Sequence, residues 1–148
     1  MTAKEWALAL LDRRDYSRAE LLKKLLEKGV EEVEAAQAVD RLEELGFVDD
    51  ARYAPIVVRH YAAKGYGARR VRQELARRGI PRELWDEAMA QMPAQDDTID
   101  RLLRNRLRDG EADRAALKRA SDFLLRKGYG WDEIKSALER YHAEADGV

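Results

Sequence analysis

The sequence has no cysteine among its 148 residues. Disulfides, thiolate zinc sites and a cysteine nucleophile are therefore excluded, and a reducing compartment fits the composition. Histidine is nearly absent too. His60 and His142 are the only two, and neither stands in a metal-ligand spacing such as H-E-x-x-H. No Gly-x-x-x-x-Gly-Lys-Ser/Thr loop occurs, so ATP hydrolysis by this chain is not expected. Gly65-x-Gly67 and Gly128-x-Gly130 begin like a dinucleotide fingerprint, but Arg70 and Glu133 occupy the third glycine position. Turn and cap glycines explain them better. Long hydrophobic runs are missing: the stretch Trp6 to Leu11 is short and charges follow at once, so it is neither signal peptide nor membrane span. Strand signals are scarce, with no sustained alternation and few adjacent β-branched residues, chief among them Val57–Val58. These absences disfavour an enzyme, a cofactor and a membrane partner, and a cytoplasmic protein is expected.

What is present is helix-forming and charged. Hydrophobic residues make up 45% and Asp, Glu, Lys and Arg 39%, which suits amphipathic helices in thin layers better than one large core. Helix 1 is expected from Lys4 to Arg14, with Trp6, Leu8, Leu10 and Leu11 inward. Ser17 and Glu20 have the spacing of a capping box, flanked by Tyr16 and Leu21 at staple positions. Helix 2 then carries Leu21, Leu22, Leu25 and Leu26 and stops at Gly29. Helix 3 runs from Glu31 to Leu45 with Val33, Ala36, Val39, Leu42 and Leu45 inward.

Asp49 or Asp50 caps the fourth helix, on which Tyr53, Val57 and Tyr61 share a face. Pro55 falls too deep in that helix to be harmless, so the helix is expected to start later or to kink. Tyr66, Gly67 and Val71 repeat the Tyr16, Ser17, Leu21 start, and the fifth helix ends at Gly79. Pro81 opens a sixth helix bearing Leu84, Trp85, Ala88, Met89 and Met92, and Pro93 breaks it. A seventh helix from Thr98 presents Ile99, Leu102, Leu103 and Leu107 and ends near Gly110. Asp113 caps an eighth with Leu117, Ala120, Leu124 and Leu125, ending at Gly128. The ninth begins at Trp131 with Ile134, Ala137, Leu138 and Tyr141, and should fray from Glu144.

Gly29, Gly79 and Gly128 stand 50 and 49 residues apart, and aligning them superposes Leu25, Leu75 and Leu124. The expected fold is therefore all-α: three tandem three-helix repeats over 1–48, 49–93 and 94–148, forming an elongated, curved body.

Ser17-x-x-Glu20-Leu21-x-x-Lys24-Leu25-x-x-x-Gly29 and Leu45-Gly46-Phe47-Val48-Asp49-Asp50-Ala51-Arg52-Tyr53-Ala54 resemble the RecX family. So does Lys64-Gly65-x-x-x-x-Arg70-x-x-x-Glu74-Leu75-x-x-x-Gly79-Ile80. The resemblance covers Trp6 to about Tyr141, with Tyr53 where the family usually has Phe. It implies a small protein of three tandem three-helix repeats that modulates, usually inhibits, the recombinase RecA. The implied partner is the RecA filament on single-stranded DNA, with a weak direct DNA contact besides, and the chain is expected to act as a monomer.

The net charge of −1 hides a strong segregation. Residues 1–50 carry 8 basic and 13 acidic side chains, residues 51–80 carry 8 and 1, and residues 81–148 carry 12 and 15. Helical spacing puts Ala68, Val71 and Leu75 on one face of the fifth helix and Arg69, Arg70 and Arg77 on the other. Arg72 and Arg78 flank the seam, and Arg52 and Arg59 share the outer face of the preceding helix. With Lys64, these are the candidate partner-binding residues. A solvated face is the bland explanation, but it would intersperse acids, and only Glu74 is there. A stand-alone DNA-binding regulator of helix-turn-helix type is the alternative, although Gln73 is the sole Asn/Gln-type base reader on that face.

Overall fold

Ser17 and Glu20 make the reciprocal pair that their spacing predicts. The Glu20 amide donates to the Ser17 hydroxyl at 3.0 Å, and the Ser17 amide donates to the Glu20 carboxylate at 3.0 Å. Two orphan amides at a helix start are thereby satisfied locally. A computed structural model of the protein, describing residues 1–107 and 113–146, shows this cap opening α2 (Arg18–Glu27). The other helices are α1 (Ala3–Arg13), α3 (Glu32–Glu44), α4 (Asp50–Ala63), α5 (Ala68–Arg77), α6 (Trp85–Met89), α7 (Asp96–Arg106), α8 (Arg114–Arg126) and α9 (Trp131–Asp146). Among the described residues there is no strand, and the fold is all-α as expected. The chain divides into two compact units, Met1–Val58 with Glu74–Gln91, and Arg59–Gln73 with Met92–Val148. Helices α4 and α5 contribute residues to both.

In the first unit α1 and α2 pack on α3 around Ala7, Leu21, Leu25, Ala35, Val39, Leu42 and Val48. Trp6, Leu8, Leu10 and Leu11, expected inward, are only partly buried. The deepest residues of α1 are Ala3 and Ala7, whose small side chains let the helix lie close on its neighbours. On α3 the buried stripe is Ala35, Val39 and Leu42, at four- and three-residue spacing. Val33, expected inward, is two residues from Ala35, so it lies across the helix and is 60% exposed. Ala36 is only partly buried, and Leu26 and Leu45 are also exposed rather than core.

Asp49 caps α4, its carboxylate accepting from the Arg52 amide at 3.2 Å. The helix thus starts at one of the two expected caps and not later, and Pro55 lies inside α4. The lost hydrogen bond leaves the Ala51 carbonyl without its helical donor, and Ala51 is exposed to water. The sixth helix is shorter than expected: Pro81 leads into a 3-10 turn, Arg82–Leu84, before α6. Only Ala88 of its expected inward residues is fully buried, and the Trp85 indole N–H donates to the Ile80 carbonyl at 2.9 Å.

In the second unit α7 and α8 pack on α9 around Ile99, Leu103, Leu107, Ala116, Ala120, Leu124, Tyr129, Ile134 and Ala137. The Arg140 guanidinium forks onto the Asp100 carboxylate at 2.8–3.0 Å, tying α9 to α7. Asp113 caps α8 as expected, its carboxylate accepting from the Ala116 amide at 2.7 Å. Leu125, expected inward, is exposed, and α9 extends through Glu144 to Asp146. The expected end of the seventh helix, at Gly110, lies outside the described residues.

One joint is built twice. In the first unit the Ser17 hydroxyl, at the start of α2, also donates to the Arg78 carbonyl at the end of α5. Ala19 packs there on Gly79, where a Cβ would stand 2.5 Å from the Ala19 Cβ. In the second unit the start of α5 meets the end of α8. The Gly67 amide donates to the Lys127 carbonyl at 2.8 Å and the Arg69 amide to the Gly128 carbonyl at 3.1 Å. A Cβ on Gly67 would lie 2.6 Å from the Gly128 carbonyl, and one on Gly128 2.5 Å from the Arg70 Cβ. Each joint sets the positive end of one helix on the negative end of another. The expected cap at Gly67 is thus supplied by backbone carbonyls of α8, and the glycine is required by proximity.

Candidate functional site

The basic residues of the middle repeat divide by environment. On α5 the inward side chains are Val71 and Leu75, both fully buried, and Glu74 joins them. Glu74 is the sole acid of residues 51–80, and it is 4% exposed, accepting from the Arg77 Nε at 3.2 Å and Nη2 at 2.8 Å. The one carboxylate that could dilute the basic face is therefore folded inward and neutralised.

In the first unit Arg52 is held by the Asp15 carboxylate at 3.0 Å, while Arg77 reaches back to Glu74. Arg78 is mostly buried, donates to the Tyr53 hydroxyl at 2.8 Å and lies 3.6 Å from Glu20. Arg14 donates to the same hydroxyl at 3.3 Å and to Glu20 at 3.0 Å. Burial above all, then the Glu20 charge, pushes the Tyr53 hydroxyl up from its usual range and keeps it protonated. Arg77 and Arg78 border a groove of about 340 Å³ together with Arg14, Tyr16, Glu20, Lys23, Lys24 and Glu27.

In the second unit Arg70 is half-buried, its guanidinium 5.0 Å from the Tyr66 ring centroid. Arg59, Lys64, Arg69 and Arg72 are exposed, with the Lys64 ammonium 5.7 Å from the Tyr61 ring. Residues 59–73 hold five cations and no carboxylate. Lys127 joins this group, 4.2 Å over the Tyr66 ring. Sequence reasoning passed over Lys127, although a basic residue precedes each repeat glycine, at Lys28, Arg78 and Lys127. It also passed over Arg14, Lys23 and Lys24, which lie in an acidic stretch and join the groove only through folding.

His60 is exposed beside the Tyr61 ring and His142 beside that of Tyr141. Among the described residues no group of three or more His, Asp or Glu could hold a metal ion, and no helix is long and apolar enough to cross a membrane. Gly65 and Gly128 take positive φ in turns, and the Gly130 amide donates to Glu133 at 2.9 Å.

The pattern described as the first three-helix domain of RecX matches residues 3–42, and that of the second three-helix domain matches residues 49–89. The regulatory protein RecX of Xanthomonas oryzae pv. oryzae strain MAFF 311018 is 40% identical over 133 residues, covering 88% of this chain and 83% of that protein. The chain belongs to the RecX family. The regulatory protein RecX of Trichlorobacter lovleyi is 39% identical over 141 residues, covering 90% of this chain and 92% of its own. The crystal structure of RecX from Lactobacillus salivarius superposes with a TM-score of 0.83 at 21% identity over 93% of both chains, which speaks for the fold. Within the matched second three-helix domain, Glu74 and Arg78 are drawn inward; Arg52 and Arg77 are exposed but ion-paired, and Arg59, Lys64, Arg69 and Arg72 are exposed as well.

Proposed function

We propose that this RecX-family protein binds the RecA filament on single-stranded DNA and restrains its recombination and ATPase activities in DNA repair. Kinship with proteins named regulatory protein RecX, at 40% identity over 88% of the chain, carries the reading. The basic stretch 59–73, whose sequence has five Lys or Arg and no Asp or Glu, supports it, because a filament offers both acidic protein surface and phosphates. The mechanism is steric and electrostatic, the protein acting as a cytoplasmic monomer of three repeats, 1–48, 49–93 and 94–148, with no chemistry of its own.

Replacing Arg59, Arg69 and Arg72 together by Glu tests the face with residues exposed to solvent. Arg77 and Arg78 are left alone because both are already engaged, Arg77 with Glu74 and Arg78 with Tyr53 and Glu20. Inhibition of the DNA-dependent ATPase of RecA should then require roughly tenfold more protein, as expected for losing several exposed charge contacts. Undiminished inhibition removes this face from the interface.

Direct DNA binding without RecA is the second reading. It is favoured by the cations Arg70 and Lys127 within 5.0 Å of Tyr66, a basic and aromatic grouping of the kind that holds single strands. Affinity for bare DNA equal to that for filaments, falling with salt at a log–log slope of about −0.9 per phosphate contacted, would establish it.

A further inference from the structure

The first unit holds a groove unlike the rest of its surface. Five cations, Arg14, Lys23, Lys24, Arg77 and Arg78, line it beside two carboxylates, Glu20 and Glu27, with Arg77 also paired to Glu74, although residues 1–50 are acidic as a whole. Its floor is fixed. Arg14 and Arg78 lie 3.0 and 3.6 Å from one carboxylate, Glu20, and both donate to the Tyr53 hydroxyl. Both guanidiniums are thus ordered before any ligand arrives, at a site partly withdrawn from water.

The wall beside that floor is one face of α2. Glu20, Lys23, Lys24 and Glu27 follow at helical spacing, so the face reads acid, base, base, acid. A phosphodiester chain, uniformly negative, would meet both glutamates. A protein segment with paired carboxylates flanked by basic residues would match all four.

We infer that this groove docks an acidic segment of a protein partner, its paired carboxylates on Lys23, Lys24 and the Arg14 guanidinium. The inference rests on the RecA filament as partner and assigns this groove to the filament's protein component, apart from its DNA. The exposed lysines set affinity, while Arg14 and Arg78 hold the floor in shape.

The test compares the full chain with Lys23→Gln/Lys24→Gln and Lys23→Glu/Lys24→Glu. Glutamine is a good helix former, so the neutral pair separates loss of charge from loss of helix. Co-sedimentation with RecA filaments on single-stranded DNA should weaken about tenfold for the neutral pair and further for the reversed pair. Affinity for a labelled oligo-dT strand alone should stay within about twofold. Unchanged co-sedimentation of both variants, beside a wild-type protein that does sediment, overturns the groove and leaves the proposed function standing. An equal loss on oligo-dT makes the occupant a phosphate chain and overturns the assignment to protein. A wild-type protein that does not sediment with filaments overturns the proposed function and this inference with it.

Discussion

Tyr129 packs its ring fully inside the second unit and directs its hydroxyl to the Gly65 carbonyl at 2.9 Å. Burial, reinforced by the Glu133 charge, pushes the phenol up to about 12. Below the unfolded value of about 10 both states keep the proton, so the tyrosine adds no pH dependence there. Between about 10 and 12 the unfolded chain ionises first, and stability should fall by up to about 1.4 kcal/mol per pH unit. Tyr129→Phe should lose about 1 kcal/mol at neutral pH and show a shallower alkaline fall in its urea midpoint. Asp50 follows the same sign at the acid end of the scale. Burial raises its pKa against the Arg18 amide, which donates to it at 2.9 Å and pulls the other way. Its ionised form therefore costs stability at neutral pH, a cost removed as the carboxyl protonates in acid. Asp50→Asn keeps the acceptor and should melt at or above the wild-type temperature, whereas Asp50→Ala should lose about 1 kcal/mol. At this scale the sequence read well where partners are local, as at Ser17 and Glu20. It could not disclose that Glu74 is buried, because the residue sits beside the apolar stripe and only packing decides which way it turns.

Among the elements, α4 carries an internal proline at the sixth position of its span. Pro55→Ala would restore the N–H that the Ala51 carbonyl lacks, offset in part by the greater freedom of the unfolded chain. The net expectation is a gain of about 1 kcal/mol and a melting temperature a few degrees higher, read by circular dichroism. A lower melting temperature would mean that the proline ring packs better than any alanine can. The helices were legible, and so were the caps at Ser17, Asp49 and Asp113, because each acts on an amide three residues away. Helix faces were less so. In α1 and α3 the innermost positions belong to Ala3, Ala7 and Ala35, and alanine says little in a sequence where it is everywhere. Larger neighbours such as Val33 then attract an inward assignment that the helix geometry refuses.

For the molecule as a whole, the spacing of 50 and 49 residues between Gly29, Gly79 and Gly128 announced the repeated unit, and the two three-helix family matches agree with it. The joints were not legible, since Ser17 and Arg78, or Gly67 and Lys127, are about sixty residues apart and no local rule connects them. That difference has a kinetic consequence. Helix α2 satisfies its first amides locally with a capping box, so its start can be organised early. The first turn of α5 has no side-chain cap of its own, and its amides wait for carbonyls that arrive with α8. Its closure should be a late event on the folding path. Gly67→Ala, which drives a methyl into the Gly128 carbonyl, should therefore speed unfolding by roughly thirtyfold for a loss of about 2 kcal/mol and leave the refolding rate nearly unchanged. Ser17→Ala should instead slow refolding. Stopped-flow measurement of both arms would show whether the middle of this chain is the last part of it to set.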